Sequence, residues 1–248
     1  MKVISIMNFK GGVGKTTTAT NLAYLLSEKN FKTMVIDADP SGNASYFYSK
    51  YDEEKPSLSW VLRENCELSK VIRRTKYKNL DIVQANNTLM GIECSCFLLE
   101  EQLKKIREQY DFVIIDCHPS LEDYTIAALV ASDLCIMPLK LDQYGINGIE
   151  LMDEQIDEIE KITGRIRYKI LITQFQRSIS GRKGYEELIT LNRYPIFRSV
   201  IRRTVKVDES TYKRKPLQKC ARNSTAAEDY RSFVEELLQE VKANGIYD

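Results

Sequence analysis

Residues Lys10 to Thr17 read Lys-Gly-Gly-Val-Gly-Lys-Thr-Thr, and this stretch constrains the fold more than any other. Ahead of it lies an apolar run, Val3-Ile4-Ser5-Ile6-Met7, that predicts a buried strand. Behind it, Ala19, Leu22, Ala23, Leu25 and Leu26 fall at helical spacing within Lys15–Glu28. A glycine-rich turn between strand and helix lets successive N–H groups curl inward, and the helix N-terminus adds partial positive charge. Such a turn is built to hold phosphate. Gly11, Gly12, Val13, Gly14 and Thr17 supply backbone, Lys15 reaches the outer phosphates, and the Thr16 hydroxyl suits Mg²⁺.

The loop departs from the usual G-x-x-x-x-G-K-[ST] spacing. Phe9 stands where the first glycine is due, and a second lysine, Lys10, precedes the glycine pair.

The rest of the chain alternates strand-like and helical patterns, which predicts an α/β fold: a mostly parallel sheet of about seven strands between helical layers. The predicted strands are Val3–Met7, Thr33–Asp37, Leu80–Gln84, Phe112–Asp116, Leu134–Pro138, Lys169–Thr173 and Ile196–Ile201. The predicted helices are Lys15–Glu28, Leu58–Glu64, Ile92–Gln109, Leu121–Val130, Ile146–Thr163, Lys183–Leu191 and Thr225–Val241. The stretch Thr204–Arg222, with Pro216, reads as the least regular part. At 248 residues, 43% apolar, the chain suits one domain over 1–248. No signal peptide or membrane-length apolar run is apparent, and the six cysteines form no C-x-x-C pair. A cytoplasmic protein with reduced thiols is expected.

Three further acidic positions belong with the loop. Asp37-Ala38-Asp39-Pro40 follows the second predicted strand, and Asp116 ends the apolar run Phe112–Ile115. Parallel sheets bind ligands at the carboxyl ends of their strands, so these carboxylates should face the phosphate loop. A strand-terminal Asp after an apolar run is the pattern that holds Mg²⁺ in phosphoryl-transfer sites.

The net charge of +1 hides an asymmetry. Residues 161–222 carry seventeen Lys/Arg against four acids, whereas residues 1–160 carry seventeen against twenty-five. A basic C-terminal third predicts a face for a polyanion.

These motifs resemble a family. Lys10–Thr17 looks like the deviant Walker A loop of the ParA/MinD group of P-loop ATPases. Asp37–Asn43 (Asp-Ala-Asp-Pro-Ser-Gly-Asn) resembles the second box of the ParA/Soj partition ATPases, and Ile201–Leu217 and Ala226–Tyr230 resemble segments near the end of their fold. The resemblance implies a three-layer α/β/α P-loop NTPase that uses ATP and Mg²⁺ and has weak intrinsic ATPase activity. It implies that Lys10 crosses an ATP-bound homodimer interface to the partner's phosphates, that Lys15 and Thr16 act in cis, that Asp39 orients the attacking water, and that Asp37 and Asp116 support Mg²⁺. It further implies non-specific DNA binding through Arg202, Arg203, Lys206, Lys213, Arg214, Lys215, Lys219 and Arg222, and a ParB-like activator. The chain departs from the family at Arg202, where a proline is usual, at Thr204, where an asparagine is usual, and at Cys117-His118-Pro119, where one proline is lost. That last loss should loosen the switch that senses the γ-phosphate.

The alternative is a MinD-like positioning ATPase acting on a membrane or protein cargo, and its membrane form needs a basic amphipathic C-terminal helix. Here the last predicted helix carries Glu228, Asp229, Glu235, Glu236 and Glu240 against Arg231 and Lys242, which anionic lipid would repel, so no membrane partner is expected. An iron–sulfur carrier would need cluster cysteines, and a metabolic synthetase would not need Lys10 or the basic segment. Because the chain opens on its first strand, no operator-binding domain is expected ahead of it.

Overall fold

The computed structural model describes all residues except 53, 142–152, 155, 158, 159, 162, 163, 165 and 244–248. Among the described residues eight strands form one sheet: β1 (Lys2–Ile6), β2 (Thr33–Ala38), β3 (Ile72–Arg74), β4 (Leu80–Val83), β5 (Phe112–Cys117), β6 (Leu134–Lys140), β7 (Tyr168–Phe175) and β8 (Ile196–Arg202). Their spatial order is β3-β4-β2-β5-β1-β6-β7-β8. All neighbours pair in parallel except β3 with β4. The seven predicted strands are all present within a residue or two of their expected ends. The eighth, β3, is a three-residue antiparallel edge, too short to show a period in the sequence.

The fully described α-helices are α1 (Lys15–Glu28), α2 (Asn43–Tyr48), α3 (Leu58–Leu62), α4 (Leu98–Lys104), α5 (Asp123–Val130), α6 (Ile179–Leu191), α7 (Val205–Lys213), α8 (Leu217–Cys220) and α9 (Thr225–Ala243). The predicted helix Ile146–Thr163 lies largely outside the described residues. The stretch read as least regular, Thr204–Arg222, holds α7 and α8 instead. Thr204 caps α7 by accepting from the Lys206 N–H, and Arg214 ends it at φ +48°. Six of its nine residues are charged or small and polar, so no apolar period advertised it.

Alternation along the central strands sorts the core into two layers. Ile4, Val35, Phe112 and Ile114 face α1 and α9, while Met34, Ile36, Val113 and Ile115 face α3, α4 and α5. α9 buries Tyr230, Phe233, Val234, Leu237, Leu238 and Val241 against α1 and β8. Each such side chain is worth about 1.5–3 kcal/mol on full burial, which anchors the helix.

The acids of α9 have a structural use that their sequence pattern did not reveal. β8 is an edge strand, and an open edge presents unpaired N–H groups. Glu236 accepts from the N–H groups of Arg198 (2.7 Å) and Ser199 (2.8 Å), and Asp229 from that of Arg202 (2.8 Å). Lys29 pairs with Glu235, and Lys169 with Glu240. The acidic face therefore seals the sheet edge. No described helix is long and apolar enough to cross a membrane.

Candidate nucleotide and magnesium site

The phosphate loop leaves β1 at the centre of the sheet, where β2 and β5 lie to one side and β6 to the other. That is the crossover point at which parallel sheets open a crevice beyond their strand ends. Asn8 starts the loop. Its Nδ2 donates to the Pro138 carbonyl at the end of β6 (2.8 Å), and its Oδ1 accepts from the Lys10 N–H (2.8 Å). Gly12 and Gly14 then take φ +73° and +94°, a region that L side chains disfavour. Gly14 serves as N-cap of α1, and its carbonyl accepts from the Thr18 N–H (2.9 Å). A Cβ built on Gly11, Gly12 or Gly14 would meet no atom within 4 Å, so the hollow is open to a ligand.

Lys15 lies across the loop, 8% exposed, and its Nζ donates to the Lys10 carbonyl (3.2 Å). Burial lowers its pKa, and the nearby Asp116 and Asp39 carboxylates oppose that shift. Lys10, Lys15, Asp39 and Asp116 thus converge at one end of the sheet, as their strand-end positions predict. The cleft above them has a volume of about 1020 Å³ and reaches from the loop to β8 and α7.

The three aspartates differ in their surroundings. Asp37 and Asp116 sit side by side in the β2–β5 register, both 0% exposed. Asp37 is saturated: Oδ2 accepts from the N–H and the hydroxyl of Ser45 (both 2.7 Å), and Oδ1 from the Asp39 N–H (3.1 Å). Burial pushes its pKa up to about 7 against those hydrogen bonds. The Ser45 hydroxyl in turn accepts from the Ala85 N–H (2.9 Å), which ties α2 to the end of β4. Asp39, 7% exposed, accepts from the Ser41 N–H (2.8 Å) and lines the cleft.

Asp116 has no such support. Neither carboxylate oxygen has a hydrogen-bond partner among the described residues. The Thr16 hydroxyl faces it and eases the negative charge without a full hydrogen bond to either oxygen. Burial first, then the neighbouring Asp37, hold its pKa well above the usual carboxylate range. A buried carboxylate without hydrogen-bond partners beside a hydroxyl offers oxygen ligands of the kind a hard divalent cation takes. These residues fit Mg²⁺: Thr16 and Asp116 offer the oxygen atoms, and Asp37 braces the second box beside them.

His118, which stands where a proline is usual in the family it resembles, makes two contacts that a proline could not. Its Nδ1 hydrogen-bonds the Ser120 hydroxyl (2.7 Å), and its N–H donates to the Ala38 carbonyl (3.3 Å).

Residues 1–170 match the family model described as an AAA domain. Across 98% of this chain and 99% of its own length, the sporulation initiation inhibitor protein Soj of Bacillus subtilis is 32% identical. The chain belongs to this family and is a ParA/Soj-type ATPase. A putative plasmid partition protein of Borrelia burgdorferi bound to AMPPNP is 28% identical and superimposes with a TM-score of 0.83, covering 96% of this chain and 99% of that one. A cobyrinic acid a,c-diamide synthase of Mycobacterium smegmatis, with bound ATP analogue and magnesium, is 26% identical with a TM-score of 0.84, covering 98% and 97%. The fold is the three-layer P-loop NTPase fold, and the cofactors of this ParA/Soj-type ATPase are ATP and Mg²⁺. When bound, the metal supplies charge neutralisation for phosphoryl transfer.

The basic residues of this ATPase divide by setting. Arg202 is engaged as a strut: its guanidinium meets Asp229 through Nε (2.9 Å) and Nη2 (2.6 Å), joining β8 to α9. Lys206 pairs with Glu209 (2.6 Å), and Lys213 approaches the same carboxylate (3.6 Å). Arg214 lies over the Tyr46 ring at 5.5 Å and Lys219 over Tyr24 at 5.8 Å. Arg203 lines the nucleotide cleft and is exposed, as are Lys215 and Arg222. Sequence reasoning missed Asn8, Ser45, Thr173, Gln174 and Tyr230, whose side chains shape the site from outside its motifs. Tyr230, for example, shares a hydrogen bond with Thr18 of α1 (3.1 Å).

Proposed function

We propose that this chain, acting as one domain over residues 1–248, is a DNA-partitioning switch in the cytoplasm. ATP binding forms a sandwich dimer, the dimer holds DNA without sequence preference, and partner-stimulated hydrolysis releases it. In this reading Lys15 and Thr16 bind phosphates and Mg²⁺ in cis, Asp39 orients the attacking water, and Lys10 reaches the phosphates held by the second copy. A cation that arrives only on dimerisation couples nucleotide state to oligomeric state. Asp37 and Asp116 support the metal. The activator is a ParB-like, centromere-binding protein, and intrinsic turnover is weak. The names of the relatives, a chromosome partitioning protein ParA of Myxococcus xanthus among them, favour this reading.

One observation carries it. Val205, Val207, Asp208 and Thr211 of α7 line the nucleotide cleft, while Lys206 and Lys213 of the same helix, with Arg214 and Lys215 beyond it, belong to the basic segment. Nucleotide occupancy and the cationic surface therefore share one short helix. Binding through such a surface is phosphate-driven and falls steeply with salt.

The test compares DNA binding by the wild type and Asp39→Ala with ATP, ADP or no nucleotide across a salt series. ATP should favour binding, and Asp39→Ala should prolong it. If ATP gives no preference in either protein, the proposal fails. Lys10→Ala should abolish ATP-dependent dimers and spare nucleotide binding by the single copy; loss of that binding would make Lys10 a cis residue.

A further inference from the structure

The end of β7 is irregular where it passes the phosphate loop. Its parallel register with β8 shifts between Ile170 and Ile172 and again between Ile172 and Phe175. Within the second shift Gln174 takes φ +51°, the left-handed region that a residue with a Cβ enters at a cost. Irregularities of this kind re-aim a side chain beside a functional site.

The side chain so re-aimed ends on the loop. Gln174 Nε2 donates to the Gly12 carbonyl (2.5 Å), and Thr173, 2% exposed, donates its hydroxyl to the Val13 carbonyl (2.7 Å). Only the amide nitrogen of Gln174 can face a carbonyl favourably, so chemistry fixes the orientation of that amide. Each peptide is planar and trans, so its C=O and the next N–H point in opposite directions. Drawing the Gly12 and Val13 carbonyls toward β7 turns the Val13 and Gly14 N–H groups away from it, into the hollow of the loop.

We propose that Gln174 and Thr173 are positioning residues that latch two consecutive loop peptides and thereby aim the Val13 and Gly14 N–H groups at the nucleotide phosphates. The left-handed backbone at Gln174 persists because it places the amide on Gly12. The inference rests on this loop being the phosphate site and on nothing further in the proposed function. Neither residue lies within the glycine-lysine motif or the acidic boxes, so motif reading passes over both.

The test is titration of the full chain with fluorescent ADP and ATP in Mg²⁺, paired with thermal denaturation of each variant. One neutral hydrogen bond corresponds to about a fivefold change in affinity. Gln174→Met and Thr173→Val should each weaken both nucleotides by about fivefold, and Thr173→Ser, which keeps the hydroxyl, should bind as the wild type does. Gln174→Gly separates latch from strain. It relieves the left-handed backbone, so its Tm should hold or rise, yet it should bind as weakly as Gln174→Met. Wild-type affinity in Gln174→Met and Thr173→Val would overturn the latch, as would affinity that returns in Gln174→Gly. If the wild type itself bound no nucleotide, the phosphate site would fail rather than the latch.

Discussion

Asp116→Asn should stabilise the nucleotide-free protein while weakening its response to Mg²⁺ and nucleotide. Asp116 is 0% exposed, both of its carboxylate oxygens lack a hydrogen bond, and Asp37 lies opposite it on the next strand. Burial raises its pKa well above the ordinary range, and Lys15 offsets only part of that. The sign follows. A carboxyl with a folded pKa above its unfolded value, about 3.9, binds its proton more tightly when folded. Its contribution to stability is complete below about pH 4 and is lost as the pH rises from there. A buried polar group without a partner costs about 1–3 kcal/mol near neutral pH. Asparagine keeps the shape without the charge and should recover about 1–2 kcal/mol of that. A chain of 248 residues moves in Tm by about 2–4 °C per kcal/mol, so the gain is about 2–8 °C. Thermal denaturation without nucleotide at several pH values measures it, and the gain should grow from pH 5 to pH 8. Mg–ADP at a hundredfold excess over its Kd stabilises the wild type by about 2.7 kcal/mol; tenfold weaker binding reduces this by about 1.3 kcal/mol. The advantage of Asp116→Asn should therefore shrink or reverse once ligand is added. A lower Tm for Asp116→Asn without nucleotide at pH 7.5 would refute the reasoning, because it would mean that the native carboxylate is well satisfied.

Lys15→Met keeps the buried stem and removes the ammonium; differential scanning of the free protein should change by only a few degrees (about 1 kcal/mol), while the shift caused by Mg–ADP disappears. Ser45→Ala strips Asp37 of a hydrogen bond and leaves the Ala85 N–H without its acceptor. It should cost about 1–3 kcal/mol in urea unfolding, and Ser45→Thr should retain most of the stability. Arg202→Ala and Asp229→Ala should couple by about 1 kcal/mol or more in a double-mutant cycle, since the pair is bidentate and Asp229 is mostly buried; additivity there would return Arg202 to the pool of DNA-facing cations. Replacing Lys215 by Gln should reduce the slope of log K against log salt for DNA by about one phosphate contact.

Much of the frame was legible in the primary structure because its signals are local. A short, mainly apolar run such as Phe112–Ile115 marks a buried parallel strand, and a helical stripe such as Ala19–Leu26 marks what covers it. The seven long strands and α1 follow from those signals alone. β3, α2, α7 and α8 do not. They are short, and α7 is polar, held by a Thr204 cap and by contact with the cleft. The acidic face of α9 shows the same limit. Read alone it is a solvated surface; packed against β8 it is the cap of an open sheet edge.

The site divides along the same line. The order of residues in Lys10–Thr17, with Asp37, Asp39 and Asp116 at strand ends, already points to a phosphate and hard-cation site at this end of the sheet. Backbone N–H groups, an ammonium and carboxylates at fixed spacing permit little else. Tertiary structure alone decided how each group is held. Asp37 is saturated by Ser45 and Asp116 is left bare, though both are strand-end aspartates in the sequence. Gln174, 162 positions from Gly12, reaches the loop because β7 lies near it at the shared end of the sheet. Chain order fixes which functional groups exist, but the charge each can carry depends on the partners and burial that folding brings, and those come from distant segments.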